Sequence, residues 1–253
     1  MKIELFSIGS FTIHGYGFMI ALGILCCVLM ATYRAKKYHL NPDAVLDIAI
    51  YGVLIGFVGA KLMYVIVEFP RFMKDPMAVL GSEGFVVYGG IIVGVLVAIG
   101  YCKIKKLFFL EYFDLCAPSI SLAQGFGRIG CFLAGCCYGR KTDLIFGVIF
   151  PESGLAPAGV KLLPTQLFSS AGNFVITIVL LLYYKKKKHA GDVGAMYMLL
   201  YGVGRFLIEM LRNDNRGAVG ALSTSQFISI FIVIGAVILF WQNKRREAKT
   251  QSL

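Results

Sequence analysis

Seven apolar stretches divide this chain, and each is long enough to form one helical crossing of a bilayer. A single crossing of the hydrocarbon core takes about 20 helical residues. The stretches lie near residues 17–33, 45–67, 85–102, 113–134, 166–184, 193–210 and 225–241. This pattern predicts an all-α, polytopic membrane protein with seven transmembrane helices.

The composition agrees with lipid as the solvent of the fold. Hydrophobic residues make up 58% of the 253 positions and charged residues only 15%, whereas soluble proteins have about a quarter charged residues. The net charge of +11 comes from short basic clusters that flank the apolar stretches, as at residues 185–188. Such clusters are typical of cytoplasmic loops held against anionic lipid. We therefore expect membrane lipid as a partner and no nucleic acid.

The loop charges predict an orientation. The loops after the first, third and fifth stretches and the C-terminal tail hold 14 Lys and Arg, against 8 on the opposite side. This bias places the N-terminus outside and the C-terminus in the cytoplasm. The two longer outer loops are then residues 68–84 and 137–163. Residues 1–17 lack the pattern of a removable signal peptide, and we expect one membrane-embedded domain over residues 1–253.

Four of the charged residues within the apolar stretches are candidates for a function. They are Arg128 in the fourth, Arg205 and Glu209 in the sixth, and Lys61 in the second. A charge at mid-bilayer costs at least about 2.5–3.5 kcal/mol, so such residues usually face a polar interior and serve a function. Arg128 has no acid at helical spacing in its own stretch. Because a guanidinium suits phosphate, the two arginines predict a site for an anionic head group.

Structural roles remain open for some of these charges. Arg205 and Glu209 lie one helical turn apart, so they can form an internal ion pair that only fixes helix packing. Lys61 can extend its amine to the membrane surface, or pair with Glu68 or Asp47.

Three of the seven cysteines, Cys131, Cys136 and Cys137, lie close together in the segment GCFLAGCCYG. Adjacent cysteines are awkward ligands for one tetrahedral ion, and no His is near. We interpret the three mainly as packing residues and expect no metal and no cofactor. A thiol role near an active site and a soft-metal site are the two alternatives.

Several motifs together resemble the bacterial prolipoprotein diacylglyceryl transferase family over nearly the full length. The strongest is GRIGCFLAGCCYGR at residues 127–140, which corresponds to the family signature G-R-x-G-N-F-x-N-x-E-x-x-G. Supporting matches are IHGYG at 13–17, GAKLMY at 59–64, VYGG at 87–90, PTQLF at 164–168 and YGVGRFLIE at 201–209.

The resemblance implies an enzyme of the bacterial plasma (inner) membrane. Such an enzyme transfers the diacylglyceryl group of phosphatidylglycerol to the lipobox cysteine in prolipoprotein signal peptides and releases glycerol phosphate. By the same correspondence, Arg128 and Arg205 hold the lipid phosphate. Tyr201 and Glu209 orient Arg205, and Tyr88 takes a catalytic position. The other positions assigned to substrate binding are Tyr16, Gly139, Gln166, Lys61 and Cys131.

This chain also departs from the family pattern. Cys131 and Cys136 stand at a signature Asn and the signature Glu, and Ala134 replaces the second Asn. Tyr88 stands where relatives place a His. Since a phenol is a poor base at neutral pH, two other roles remain open for it: it positions the acceptor, or it donates a hydrogen bond to a phosphate oxygen. The phosphate-holding part is retained, while the part facing the acceptor differs. Two alternatives are a related enzyme with another acceptor and a lipid or anion transporter.

Overall fold

The computed structural model describes residues 4–8, 11–82, 84–151, 155–213 and 217–251 of the chain. Residue 83 of the first predicted outer loop and residues 152–154 of the second lie outside this described part. So do Lys2 and Arg216, which contribute to the loop charge count.

Seven helices of 18 residues or more occur over the described residues, one for each predicted apolar stretch. They are α1 Gly15–Lys37, α2 Pro42–Val67, α5 Val87–Ile104, α6 Phe109–Ala134, α7 Thr165–Tyr184, α8 Asp192–Glu209 and α9 Thr224–Gln251. Two short helices, α3 Phe69–Phe72 and α4 Pro76–Leu80, lie within the first predicted outer loop. The predicted helical class is confirmed.

Five of the long helices, α1, α2, α5, α7 and α9, are long and apolar enough to cross a membrane. Large apolar side chains such as Phe57, Leu96 and Leu182 are more than half exposed along them. Exposed apolar surface on this scale is stable against lipid rather than water. The chain is therefore a multi-pass membrane protein. Helices α6 and α8 fall outside this group of five, and they contain Arg128 and Arg205.

In the described part of the chain, three small antiparallel strand pairs connect or precede the helices. They are β1 Glu4–Ile8 with β2 Phe11–His14, β3 Val148–Ile149 with β4 Lys161–Leu162, and β5 Ala218–Val219 with β6 Leu222–Ser223. The sequence analysis did not predict them, because strands of two to five residues are too short to produce a recognisable alternation of apolar and polar positions.

The contacts divide the chain into two compact units. The smaller unit is Ala31–Tyr112 and contains α2 to α5, whereas the larger unit is Met1–Met30 together with Phe113–Leu253. In the smaller unit α2 packs on α5 through facing glycines: a Cβ added to Gly89 would lie 2.5 Å from the carbonyl oxygen of Gly59. The glycines of the motifs GAKLMY and VYGG therefore allow two helix backbones to touch.

In the larger unit, a fully buried carboxylate joins α6 to the start of α8. Asp114 accepts hydrogen bonds from the backbone N–H of Gly194 at 2.8 Å and of Gly191 at 2.9 Å. It also pairs with the Lys187 ammonium at 3.0 Å. The carboxylate thus accepts hydrogen bonds from backbone donors that a helix N-terminus leaves free. Its negative charge is also stabilised by the positive end of the helix dipole.

This contact sets the register of the two helices that contain the arginines. Arg128 lies about 14 residues beyond Asp114, which is about 21 Å along α6. Arg205 lies about 11 residues beyond Gly194, which is about 17 Å along α8. Both arginines are therefore brought to a similar depth.

We expect Asp114→Ala to destabilise the protein by about 3 kcal/mol, because two backbone donors and an ammonium lose their buried partner. Thermal unfolding of the full chain in detergent, followed by tyrosine and tryptophan fluorescence, measures the change. The control is Asp143→Ala, an exposed carboxylate, whose loss should change stability by less than about 0.5 kcal/mol. Equal melting temperatures for the two variants would contradict the assignment.

Candidate functional site

A cavity of about 290 Å³ lies between α6, α7 and α8 in the larger unit. Arg128 reaches it from α6, and Arg205 and Tyr201 reach it from α8. Most of the remaining lining is apolar, with Phe168 and Ile176 from α7 as examples. The cavity therefore combines two guanidinium groups with an apolar wall, which is the chemistry of an amphiphilic anion such as a phospholipid.

Arg205 is held in place by its neighbours in the larger unit. One terminal nitrogen forms an ion pair with Glu209 at 2.5 Å, and the other donates a hydrogen bond to the Ser225 hydroxyl at 2.7 Å. The internal ion pair considered from the sequence is therefore present. Because Arg205 also lines the cavity, the pair positions the guanidinium at the cavity wall as well as joining turns of α8.

Glu209 is shared between two arginines. Its side chain is only 2% exposed, and the same carboxylate oxygen lies 3.8 Å from a terminal nitrogen of Arg212. One carboxylate thus faces two guanidiniums, which leaves excess positive charge beside the cavity. Sequence analysis did not single out Arg212, although its position three residues after Glu209 places it on the same helical face.

Arg128 has a different environment. Within the described part of the chain, no carboxylate lies within 4.0 Å of its guanidinium. Its electrostatic neighbours are Cys131, Tyr201, Cys137 and Arg212. A half-buried guanidinium at a cavity wall with this environment favours binding of an external anion.

The loop after α6 brings three thiols together. The backbone turns sharply at Gly135 and Cys137, which have φ of 70° and 63°. As a result the Sγ atoms of Cys131, Cys136 and Cys137 all lie within 4.8 Å of one another. Hydrogen bonds from the thiols of Cys131 and Cys136 lower the pKa of Cys137, and the guanidiniums of Arg212 and Arg128 lower it further. The sequence alone did not predict that these thiols converge.

The first turn of α7 holds this loop by its carbonyl groups. The Gln166 side chain donates to the Cys136 carbonyl at 2.7 Å, and the Thr165 hydroxyl donates to the Cys137 carbonyl at 2.8 Å. Gln166 is almost fully buried and does not line the cavity. Its contacts therefore fix the cysteine loop. Thr165 was not singled out from the sequence, although it lies in the motif PTQLF.

Gly139 lies where three backbone segments meet. Its N–H donates to the Leu163 carbonyl at 2.9 Å, and it forms an antiparallel bridge with Arg212. A Cβ at this position would lie 2.7 Å from Cβ of Leu163 and from a methyl carbon of Thr165. Glycine is therefore needed here because the neighbouring segments approach the backbone closely. Gly139 does not line the cavity.

Tyr16 and Tyr201 approach the site from two helices. Tyr16, on α1, lies over Gly130: a Cβ there would lie 3.3 Å from its ring. This places Tyr16 beside the residue that precedes Cys131. Tyr201 lines the cavity and stacks on Tyr197 with ring centroids 5.7 Å apart.

Two predicted site residues, Lys61 and Tyr88, belong to the smaller unit. The Lys61 ammonium donates to the carbonyl oxygens of Ser82 at 2.6 Å and Gly84 at 3.3 Å. Within the described residues, Lys61 therefore forms neither of the pairings, with Glu68 or with Asp47, that the sequence left open.

The reason lies in the local contacts. The Asp47 carboxylate accepts a hydrogen bond from the Tyr101 hydroxyl at 2.6 Å, while the loop before α5 offers its carbonyls to Lys61. Tyr88 is half-buried in the first turn of α5.

Comparison with known proteins gives a family match over almost the whole chain. The model of the prolipoprotein diacylglyceryl transferase family matches residues 3–242. The matched range includes every residue of the cavity wall and the cysteine loop.

Several curated proteins are similar along their full length. Phosphatidylglycerol–prolipoprotein diacylglyceryl transferase 2 of Clostridium perfringens is 48% identical over 252 residues, which covers 98% of each chain. The transferase of Clostridium tetani is 47% identical over 242 residues, covering 95% of this chain and 97% of the relative. That of Finegoldia magna is 36% identical over 248 residues, covering 97% of each.

We expect Gly139→Ala to destabilise the protein by about 1–3 kcal/mol, because the added methyl group overlaps Leu163 and Thr165. Thermal unfolding in detergent measures the loss. Gly100→Ala is the matched control, since a Cβ at Gly100 meets nothing within 4 Å and alanine is the better helix former. A Gly139 variant as stable as the Gly100 variant would show that the backbone contact is unimportant.

Proposed function

The chain belongs to the prolipoprotein diacylglyceryl transferase family, and on that premise we propose that it transfers the diacylglyceryl group of phosphatidylglycerol to the lipobox cysteine of prolipoproteins. Glycerol phosphate is the second product. The observation that best supports this function is the meeting of Arg128 and Arg205 at one cavity with an apolar wall.

The reaction is a displacement at the carbon of the diacylglyceryl group that is bonded to the phosphate oxygen. The lipobox thiol loses its proton, its sulfur forms a bond to that carbon, and the bond from carbon to phosphate oxygen breaks. The phosphate changes from a diester with one negative charge to a monoester that gains another. Guanidinium groups placed at the leaving oxygens stabilise this developing charge.

Arg128 and Arg205 have different parts in this scheme. Arg205, fixed by Glu209 and Ser225, provides a pre-positioned donor that loses little conformational entropy on binding. Arg128 faces the cavity with no carboxylate within ion-pair distance among the described residues, so the lipid phosphate supplies its counter-charge. Tyr201, which lines the same wall, completes the polar end of the site.

The remaining predicted residues keep the roles that the family resemblance implies. Glu209 orients Arg205. Gln166 and Gly139 hold the cysteine loop and its neighbouring backbone in place. Tyr88 positions the acceptor. The three other residues assigned to substrate binding are Tyr16, Lys61 and Cys131.

In the membrane, α6 and α8 also cross the bilayer, which gives seven spans in a single domain over residues 1–253. Polar groups between helices bond to one another. Ser121 of α6 donates to the Asn173 carbonyl of α7, and Ser170 of α7 donates to the Gly125 carbonyl of α6. Such groups need not face lipid. The charge bias places the N-terminus outside and the C-terminus in the cytoplasm of a bacterial plasma membrane. Residues 68–84 and 137–163 then lie on the outer face, where prolipoprotein signal peptides arrive. Nucleic acid is not a partner.

The direct test is turnover by the purified full chain in detergent with phosphatidylglycerol and a lipobox peptide. Mass spectrometry should detect the peptide with a diacylglyceryl thioether and free glycerol phosphate. A peptide with Ser in place of the acceptor Cys is the control and should remain unmodified. Glycerol phosphate release without peptide modification would indicate a different acceptor. Bound phospholipid without any turnover would indicate transport or binding instead.

We expect Arg128→Ala and Arg205→Ala each to lower turnover by about a hundredfold or more, because each variant loses one preorganised donor to the oxygen that gains charge. The initial rate of glycerol phosphate release measures the effect. Arg71→Ala removes an exposed arginine from α3 and should retain the parent rate. Full activity in both cavity variants would overturn the assignment of the phosphate site.

We expect Tyr88→Phe to raise the KM for the lipobox peptide while leaving the KM for phosphatidylglycerol unchanged, because the hydroxyl positions the acceptor rather than the lipid. Steady-state rates with each substrate varied in turn separate the two. Unchanged kinetics with both substrates would remove Tyr88 from the site.

A further inference from the structure

We propose that Cys131, Cys136 and Cys137 form a binding site for one thiophilic divalent cation, with zinc as the expected metal. Of the three, Cys131 is assigned to substrate binding in the proposed transfer reaction, and none of the three thiols forms or breaks a bond in it. Two of them replace an Asn and the Glu of the family signature, so the replacement of acceptor-side residues and the appearance of a thiol cluster occur at the same positions.

The distances favour a common metal. The three Sγ atoms lie within 4.8 Å of one another. Zinc binds thiolate sulfur at about 2.3 Å, so the sulfurs of a tetrahedral site lie about 3.8 Å apart. The widest observed separation therefore exceeds the spacing of a loaded site by at most about 1 Å.

The backbone answers the objection that adjacent cysteines are awkward ligands. Cys137 adopts a left-handed conformation, which is uncommon for a residue other than glycine. This turn directs both Cys136 and Cys137 toward Cys131 at the end of α6. Thr165 and Gln166 hold the loop by hydrogen bonds to the carbonyls of both turn cysteines. These two contacts use backbone carbonyls, whereas the Cys136 thiol donates to the Cys131 carbonyl at 3.6 Å and would give up that bond to a metal.

The charge of the surroundings also suits the loaded site. Binding of one zinc ion to three thiols releases three protons and leaves a complex with one net negative charge. Arg128 and Arg212 both interact electrostatically with Cys137, so the anionic complex would form beside positive charge. A neutral or acidic surrounding would disfavour an anionic complex at a half-buried position.

Three protein ligands leave the fourth tetrahedral position open, as in catalytic rather than structural zinc sites. Resting on the proposed function, we assign this position to the acceptor thiol. The lipobox sulfur would release its proton and bind zinc as a thiolate, ready to attack the glycerol carbon beside Arg128. This assignment supplies an activator for the acceptor in a chain whose Tyr88 is a poor base.

Cobalt, which replaces zinc in tetrahedral thiolate sites, gives the test a direct signal. The full chain is purified in detergent under reducing conditions, stripped with a chelator and titrated with Co²⁺. We expect one equivalent to produce sulfur-to-cobalt charge-transfer bands and the visible bands of tetrahedral coordination. Zinc should then bleach them.

Cysteine variants locate the signal. Each of Cys131→Ser, Cys136→Ser and Cys137→Ser should weaken cobalt binding about tenfold or more, and the triple variant should give no thiolate bands. The double variant Cys26→Ser with Cys27→Ser is the matched control, because it removes an adjacent pair from α1, and it should bind as the parent does. Bands that persist in the triple variant would overturn the site.

A second measurement needs no variant. In the parent protein, zinc should protect the three thiols from alkylation, as read by peptide mass spectrometry, while Cys26 and Cys27 react at unchanged rates. Equal labelling of the three thiols with and without zinc would overturn the site.

The acceptor assignment has its own measurement. A lipobox peptide added to the cobalt-loaded protein should raise the charge-transfer absorbance by about one third, from three thiolates to four, and the Ser peptide should not. No response would overturn the assignment of the fourth position while leaving the metal site intact. Transfer activity in protein that binds no metal would overturn the metal site and leave the transferase function standing.

Discussion

The position of the site depends on one buried carboxylate about 20 Å away along the helices. Asp114 binds the first backbone donors of α8 and the Lys187 ammonium, so α6 and α8 are joined at one defined register. In a lipid solvent, apolar packing between helices gives little directional preference, and buried polar contacts supply it. The depth at which Arg128 meets Arg205 follows from that single contact and the constant rise of the two helices.

Charge balance then distinguishes the two arginines. Glu209 neutralises part of the charge of Arg205 and Arg212 together, which keeps these side chains ordered in a region of low dielectric constant. Arg128 faces thiols and a tyrosine hydroxyl rather than a carboxylate among the described residues. An ordered guanidinium and one open to an external anion are therefore combined at the same cavity. This division suits a phosphate that gains charge during the reaction, because one group is already in place and the other responds to the added charge.

The helices could be predicted from the sequence because each apolar stretch must satisfy its own backbone hydrogen bonds in lipid, and a helix does so locally. Hydropathy alone was weaker for α6 and α8, since Arg128 and Arg205 lower their apolar character, and yet both helices are present. The three strand pairs escaped prediction because pairing of two to five residues depends on where the flanking helices place the chain. The partner of Lys61 was left open from the sequence for a similar reason: the carbonyls of Ser82 and Gly84 come close only through the folded loop.

The sequence by itself determined that this protein lies in lipid, where its helices lie, and which charged residues need a partner inside the membrane. It also indicated the family, because the order and spacing of the motifs can be recognised in the sequence without knowing which residues are in contact. Only the tertiary structure decided that Arg128 and Arg205 share a cavity, that Gly139 serves backbone crossing, and that the three cysteine sulfurs converge. These facts depend on distances between segments that lie far apart in the chain or on one backbone turn, such as the left-handed Cys137. Local composition fixes what each helix must bury, whereas the register between helices fixes which side chains meet.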